Sequence, residues 1–279
     1  PAAPAGAVRV DTFPGAIWRY SGGGTTIMQQ LLSDVTGTPF AALLKSLVLD
    51  PAGMTLSTYE QPIPASRVGE TSAAHKQDGT VIPGRWHVYP EMAAAGLWTN
   101  PTDLLKWAIA IADARDGKPN GLLSQPLAKE MLTVQKEPTG LGPFLEGSGR
   151  GFNFGHGGSD VGFHASLVYF PETGQGAAVM VNSDGGPPLL DEILLAIAAE
   201  YGWPDYGPRE IEAVAVDSAA IDRVVGEYQA TKPVPVTITV SREGGKLYAQ
   251  SEFTPKSEVV FTAPDKLVML EGRAELQVD

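Results

Sequence analysis

The hydrophobic pattern of the N-terminal third predicts two helices joined by a tight turn. Over residues 25–35, apolar residues recur at helical spacing, and Thr36-Gly37 stops the pattern. That stripe consists of Ile27, Met28, Leu31, Leu32 and Val35. Thr38-Pro39 then opens a second helix, which Asp50-Pro51 ends. Its predicted buried face consists of Phe40, Leu43, Leu44, Leu47 and Val48.

The chain then changes from irregular segments to helices and finally to strands. Residues 55–98 show weak periodicity and many turn formers, which indicates a long excursion with few regular elements. A third helix begins after Thr99, and a shorter fourth follows it. Compact apolar segments at Phe163 to Phe170 and Ala177 to Val181 predict an antiparallel hairpin, and a helix follows over 187–201. This order predicts an α+β fold with an antiparallel sheet, not a repeating βαβ unit.

After Pro208 the pattern shifts to short strands divided by glycine and proline. The predicted strands are Val234 to Val240, Lys246 to Gln250, Val259 to Thr262 and Leu267 to Leu270, divided by Gly244-Gly245, Pro255 and Pro264. We place a domain boundary within 205–216. The sequence therefore predicts one domain over 1–206 and a small all-β domain over 217–279.

The composition excludes several classes of protein. Among 279 residues, 20 Lys and Arg stand against 32 Asp and Glu, a formal net charge of −12. No basic patch suited to a phosphate backbone is visible, which argues against nucleic-acid binding. With 43% apolar and 19% charged residues, the chain can bury a core. The absence of cysteine excludes disulfides, thiol nucleophiles, zinc ribbons and iron–sulfur clusters.

The sequence carries none of the common nucleophile, metal or nucleotide motifs. It has no G-x-S-x-G elbow, no H-E-x-x-H helix, no Walker A loop and no G-x-G-x-x-G. Its four histidines are not spaced to share a helix face, so we expect no metal site and no cofactor. No apolar run approaches the roughly 20 residues that span a bilayer. The start, Pro1-Ala2-Ala3-Pro4, has neither the basic n-region nor the apolar h-region of a signal peptide.

Two glycine-rich constellations stand out. Tyr20-Ser21-Gly22-Gly23-Gly24 lies just before the first helix, and Gly155-His156-Gly157-Gly158-Ser159 lies just before the hairpin. Glycine clusters beside a tyrosine and a histidine allow a backbone to approach a ligand closely. Each constellation also has an ordinary structural interpretation: Tyr20 as a half-buried aromatic at a helix start, and His156 as a hydrogen-bonded turn histidine. Taken singly, neither constellation decides between the two interpretations.

Four sequence blocks, taken together and in order, resemble the serine hydrolases of the β-lactamase-like family. That family includes class C β-lactamases, DD-peptidases and related esterases. The blocks are Phe13-Pro14-Gly15 with Trp18 to Gly24, Thr36 to Phe40 with Leu49 to Met54, Ala94 to Thr99 with Asp103-Leu104, and Gly155 to Gly162. The resemblance covers residues 8–204. In the tail, Val225 to Tyr228 and Gly244 to Tyr248 resemble the lipocalin-like domain often appended to such hydrolases.

The resemblance implies a site for acyl transfer. In the family, a Ser and a Lys in S-x-x-K lie at a helix start, a tyrosine shuttles the proton, and a strand motif binds the substrate beside an oxyanion hole. Transferred residue by residue, the resemblance makes Tyr20 the proton shuttle and Ser21 its supporting residue. The residues that it assigns to the strand side are His156, Gly157, Gly158 and Ser159. The backbone amide of Ser159 is then an oxyanion donor.

The sequence departs from the family at the nucleophile. No serine of the chain is followed three residues later by a lysine; Ser72 comes nearest, with His75 at the lysine position and Lys76 after it. The family motif precedes the tyrosine by several tens of residues, whereas only 19 residues precede Tyr20. We therefore expect no acyl transfer by this chain alone, and the missing segment of the same protein as its partner. The alternative is a nucleophile-free module that only binds cell-wall peptides or esters; the upstream coding sequence discriminates the two.

Two further departures concern the substrate, which is a small molecule or a peptide. Gly22 replaces the Asn whose side chain would bind the acyl amide, and His156 replaces a Lys that would attract a carboxylate. Both departures favour an esterase or a peptidase of unusual specificity over a β-lactamase. The family also implies a periplasmic or secreted location.

Three groups of residues stay outside the predicted site. His164 lies on an apolar strand and is interpreted as a satisfied core residue. Asp160 and Asp184 are loop carboxylates with no evident partner in the sequence. The aromatic excursion around Tyr89 either packs or borders the cleft, and the sequence does not decide which.

Overall fold

The computed structural model describes residues 8, 10, 12–119, 121–136, 138–208, 210–230, 236–251, 256–270 and 275–277. The sequence features at Pro1-Ala2-Ala3-Pro4, Val234 and Pro255 lie outside these residues. The chain divides into two compact units. The first consists of Pro1–Phe13 and Ser21–Gly207, and the second of Pro14–Tyr20 and Pro208–Asp279.

The first predicted helix is present and begins three residues early. Helix α1, Gly22–Thr36, starts at Ser21, whose Oγ accepts the Gly24 N–H at 3.0 Å. That cap offsets the weak helix propensity of three consecutive glycines. Gly37 ends the helix in the left-handed conformation, with φ of 65°. None of the residues of α1 is buried, and its apolar stripe is exposed to solvent.

The second helical segment departs from its sequence pattern by one position. Helix α2, Phe40–Leu44, continues directly into a π-helical turn, Lys45–Leu49. A π turn takes up an extra residue because its hydrogen bonds join residues five apart. Leu49 is therefore buried while Leu47 is exposed. The predicted apolar face is wrong at Leu47 for this reason.

The excursion over 55–98 has few regular elements, as its weak periodicity predicts. They are a 3-10 helix, Ala65–Glu70, and helix α3, Met92–Ala95. Helices α4, Pro101–Arg115, and α5, Gln125–Met131, follow. The buried Asp103 of α4 anchors the start of the 55–98 segment to this helix. Its Oδ2 accepts the Leu56 N–H and the Ser57 hydroxyl, both at 2.9 Å.

Four antiparallel strands then form a sheet in sequence order, between two helices. They are β1, Phe144–Glu146; β2, Asn153–Asp160; β3, Phe163–Phe170; and β4, Gln175–Val181. Helix α6 follows over Pro187–Tyr201. One face of the sheet packs on α4 through a core around Phe154 and Leu167. The other face packs on α6 through a core around Phe170 and Leu194, which completes the expected α+β arrangement.

The tail folds on its own core. Helix α7, Ser218–Val224, precedes a six-stranded antiparallel sheet whose order follows the sequence. The strands are β5, Gly226–Ala230; β6, Val236–Glu243; β7, Lys246–Gln250; β8, Ser257–Ala263; β9, Lys266–Met269; and β10, Glu275–Gln277. The sequence pattern predicts only four of them. Across the described ranges of both units, no helix is long and apolar enough to cross a membrane.

Candidate active site

The motif over 155–159 forms the centre of β2. In the register with β3, His156 lies opposite Leu167, and Ser159 lies opposite His164. Side chains alternate between the two faces of a strand. His156 therefore lies on the face of the sheet that packs on α4, whereas Ser159 lies on the face that packs on α6.

His156 is an exposed strand residue, which corrects its interpretation as a turn histidine. Its imidazole packs against the ring of Phe144 on β1, with 5.2 Å between the ring centroids. Its Nδ1 also hydrogen-bonds the backbone oxygen of Gly157. The ring is thus oriented by its neighbours and remains accessible from solvent.

The outer edge of β2 is open beyond Gly155. Strand β1 pairs only with Asn153, Phe154 and Gly155. No other strand among the described residues pairs with that edge over 156–160. The second half of the motif therefore presents backbone groups that a ligand can reach.

The turn after β2 determines which backbone groups face the open edge. Asp160 and Phe163 flank a two-residue turn, so these two residues exchange the closing hydrogen bonds of the hairpin. Hydrogen-bonded and non-hydrogen-bonded pairs alternate along an antiparallel ladder. The amides of Gly157 and Ser159 therefore point away from β3, into the open edge. This is the direction that an oxyanion donor at Ser159 requires.

The glycines of the motif differ in what packing demands of them. A Cβ on Gly155 would lie 1.9 Å from the carbonyl oxygen of Leu167, so β2 and β3 approach too closely there for any side chain. A Cβ on Gly157 would meet its nearest atom at 3.6 Å, and one on Gly158 at 3.8 Å, which are ordinary contacts. Packing therefore explains Gly155 and leaves Gly157 and Gly158 unexplained.

We expect Gly155→Ala to destabilise the first unit by about 3 kcal/mol, because the added methyl group forces the two strands apart. Gly157→Ala is the matched control, and we expect it to change the free energy of unfolding by less than about 1 kcal/mol. Urea denaturation followed by tryptophan fluorescence measures both. Equal destabilisation by the two variants would contradict the close approach at Gly155.

Two residues outside the predicted site, His164 and Asp184, lie beside the motif. His164 Nδ1 lies 3.1 Å from Ser159 Oγ, and its Nε2 lies 3.6 Å from Asp184 Oδ1. The same Asp184 oxygen accepts the Gly162 N–H at 2.6 Å. His164 is thus not a satisfied core residue, since its buried Nε2 has no hydrogen-bond partner, and Asp184 is not without partners. A two-residue turn after Asp160 would place His164 opposite Ser159, whereas no sequence signal places Asp184 beside them.

The segment over 55–98 contributes Tyr89, which contacts the turn after β2. Tyr89 Oη accepts the Val161 N–H at 3.2 Å, and burial raises the pKa of Tyr89. Burial also raises the pKa of the adjacent Asp160 carboxyl to about 6, and the charge of His87 acts in the opposite direction. No group of three metal-ligating side chains in the described ranges is placed to hold a metal ion. The excursion therefore borders the motif and holds its turn.

We expect Asp160→Asn to stabilise the protein at pH 8. A carboxyl whose pKa is raised on folding favours the folded state below its unfolded pKa, and that contribution is lost as the pH rises through about 6. Removing the charge should gain about 1 to 2 kcal/mol at pH 8, after allowance for partial solvent exposure, and little at pH 4. Thermal unfolding at both pH values measures it. The exposed Glu91→Gln is the control, and an equal gain at both pH values would contradict the account.

The tyrosine constellation is divided between the two units. Ser21 is the N-terminal cap of α1, and Gly22 is the first residue of that helix, beside Ala94. Tyr20 is 49% exposed and groups with the second unit, whereas Ser21 and the whole of β2 belong to the first. The convergence of Tyr20 and His156 on one cleft stays a prediction.

Three comparisons show which known proteins the chain is similar to. The protein-family model described as Beta-lactamase matches residues 3–201. The putative penicillin-binding protein PbpX of Bacillus subtilis (strain 168) is 27% identical over 135 residues, which are 46% of this chain and 32% of that protein. Two solved structures share the fold: SurE with D-Leu, and the D-amino acid amidase of Ochrobactrum anthropi SV3 complexed with L-phenylalanine.

The likeness to the two solved structures is one of fold. SurE with D-Leu is 23% identical, with a TM-score of 0.55, over 93% of this chain and 61% of that chain. The amidase is 23% identical, with a TM-score of 0.50, over 62% of this chain and 51% of that chain. The chain spans about a third of the curated relative and about three fifths of the first of these structures.

Proposed function

The chain belongs to the β-lactamase family, and from that premise we propose that it is the part of an acyl-enzyme serine hydrolase that supplies the proton-shuttle tyrosine and the substrate-binding strand. The nucleophilic serine and its lysine come from the part of the protein that carries S-x-x-K, called here the S-x-x-K segment. By itself the chain does not perform acyl transfer. The hydrolase acts on esters or peptides in the periplasm or outside the cell.

The observation that carries the proposal is the open edge of β2. The amides of Gly157 and Ser159 point outward from an edge that no described strand covers. An extended acyl group can pair with such an edge through main-chain hydrogen bonds. The Ser159 amide can stabilise an oxyanion that forms beside it. Room for a methyl group at Gly157 and Gly158 is consistent with a surface kept clear for substrate.

Two residues of the predicted site favour esters and amino-acid amides over β-lactams. His156 offers an imidazole and not a permanent cation to a substrate carboxylate, and Gly22 offers no side-chain amide to the acyl group. Similarity to an amidase of D-amino acids, and to a structure that holds D-Leu, supports an amino-acid acyl group. The substrate class is therefore an ester or amide with an amino-acid acyl group.

The exposed face of α1 supports a covering segment. Its stripe consists of Ile27, Met28, Leu31, Leu32 and Val35, with exposed fractions between 42% and 76%. A helix normally buries such a stripe against another layer of the fold. The occupant that we propose is the S-x-x-K segment, since the relatives are longer than this chain.

A substrate panel tests the proposed specificity. The chain together with the S-x-x-K segment is assayed with p-nitrophenyl esters, D-amino acid anilides and nitrocefin. We expect kcat/KM for the esters and anilides to exceed that for nitrocefin at least tenfold. A preference for nitrocefin would contradict the roles given to Gly22 and His156.

The second candidate is a nucleophile-free module that only binds, and its sequence feature is the lack of S-x-x-K within residues 1–279, which the first candidate shares. In that case the chain alone binds a D-amino-acid peptide or ester at the β2 edge, and no added segment produces hydrolysis. Calorimetric titration of the chain with such a peptide, compared with turnover in the presence of the segment, separates the candidates. The second unit contains a six-stranded antiparallel sheet, and its lipocalin-like character stays a prediction.

A further inference from the structure

The structure assigns positioning roles to His164 and Asp184, which fix the outward-facing amide of Ser159 from the opposite face of the sheet. The inference rests on the proposed function, because it concerns the oxyanion donor of that site. It adds two residues to a strand motif that otherwise ends at Ser159. Neither residue touches the substrate, and both act through Ser159.

The arrangement of faces separates these residues from the substrate side. Ser159 and His164 form a non-hydrogen-bonded pair, in which side chains approach most closely, and their side-chain atoms meet at 3.1 Å. Both side chains lie on the α6 face of the sheet. His156 lies on the other face. A contact between Ser159 and His164 therefore reaches the open edge only through the backbone of Ser159.

The carboxylate of Asp184 selects the tautomer of His164. Burial lowers the pKa of His164, so its imidazole is neutral near pH 7. Its Nε2 is buried, has no hydrogen-bond partner and lies 3.6 Å from Asp184 Oδ1. A ring lone pair would be repelled by that oxygen, so the proton resides on Nε2. Nδ1 must then accept the hydroxyl proton of Ser159, which fixes the serine side chain in one orientation.

The same carboxylate also holds the turn that closes the hairpin. Asp184 Oδ1 accepts the Gly162 N–H at 2.6 Å, and Gly162 has a φ of 75°. A Cβ there would lie 2.6 Å from the Cβ of Ala74, so the turn is closely packed as well. Asp184 thus contacts the turn directly at Gly162, and it contacts the last residues of β2 indirectly, through His164 and Ser159.

Other charged or titratable groups lie around the same turn. Tyr89 Oη accepts the Val161 N–H, and Asp160 with the nearby His87 occupies the face opposite to His164. On the Asp184 side, the Asp184 N–H bonds the backbone oxygen of His75. Of these groups, Asp184 is the one in direct contact with the imidazole.

A nuclear magnetic resonance titration of the 279-residue chain tests the arrangement without any need for activity. Protonation of His164 reverses its hydrogen bond with Ser159, because Nδ1 then donates to Oγ. We expect the Ser159 amide resonance to shift with the same midpoint as the His164 ring, below pH 6.5. The shift should vanish in His164→Asn and persist in Ser166→Ala, a neighbour on the same face. A Ser159 amide that ignores the titration of His164 overturns the proposal.

Steady-state kinetics of the chain with the S-x-x-K segment tests the positioning role. Misplacement of an oxyanion donor lowers the rate of the chemical step. We therefore expect His164→Ala to reduce kcat about 10- to 100-fold, with KM changed less than threefold. His164→Asn, whose side-chain oxygen can replace Nδ1 as acceptor, should restore most of kcat, and Ser166→Ala should leave it unchanged. Unchanged kcat in His164→Ala, or a loss confined to KM, overturns the proposal.

The two arms separate failure of this inference from failure of the proposed function. If the wild-type chain with its segment is inactive, the proposed function fails, and the titration still decides whether His164 orders Ser159. If the wild type is active and the Ser159 amide follows the titration of His164, the kinetics of His164→Ala alone decide the positioning role.

Discussion

Addition of the S-x-x-K segment to the 279-residue chain is expected to raise the rate of ester hydrolysis by up to about a million-fold over the chain alone. A serine, its lysine base and the tyrosine act as a unit, so removal of the nucleophile removes nearly the whole chemical contribution of the site. No serine in this sequence has a lysine three residues on. Stopped-flow and steady-state assays with a p-nitrophenyl ester measure the gain.

Matched controls tie the gain to the nucleophile and to the α1 stripe. Serine-to-alanine replacement in the S-x-x-K segment should abolish it. Leu31→Lys places a charge in the exposed stripe and should weaken the binding of the S-x-x-K segment to the chain at least tenfold. Gln30→Lys on the same helix should not weaken it. Hydrolysis by the chain alone, or a gain that survives the serine replacement, would contradict the proposed function.

Replacement of Tyr20 by Phe in the assembled hydrolase is expected to lower kcat between about a hundredfold and ten-thousandfold. The phenol relays the proton from the nucleophile to the leaving group, and a phenyl ring cannot. KM should change little, because the ring itself is kept.

The control for Tyr20→Phe is Tyr201→Phe, which removes an exposed hydroxyl at the end of α6. It should leave kcat unchanged. The same ester assay and a fluorescence check of folding apply to both variants. Full turnover by Tyr20→Phe would end the assignment of Tyr20 as the proton shuttle.

The helices and the hairpin could be predicted because local signals determine them. The stripe over 27–35 and the stop at Gly37 predict α1, and compact apolar segments predict β3 and β4. The burial of Leu49 could not be predicted, because a π turn leaves no mark on apolar periodicity. Strand β2 lacks an apolar alternation across its glycines, so pairing with β3, and not local propensity, makes it a strand.

The candidate site could be predicted only where residues are adjacent in sequence. Tyr20 and His156 are predicted from their glycine-rich surroundings and from the order of the blocks, and their shared site stays a prediction. The contacts of His164 and Asp184 with the motif could not be predicted, because they depend on strand register and on a loop 20 residues further along. The raised pKa of Asp160 could not be predicted, because its cause is burial at the end of β2, which the sequence does not reveal.

A crystal structure of the chain with its S-x-x-K segment, after reaction with a phosphonate ester, is the most direct test. We predict the phosphonyl group on the serine of the segment, its oxygen within hydrogen-bond distance of the Ser159 amide, and Tyr20 Oη beside the modified serine. A phosphonyl group attached to any residue of 1–279, or Tyr20 remote from it, would contradict the account.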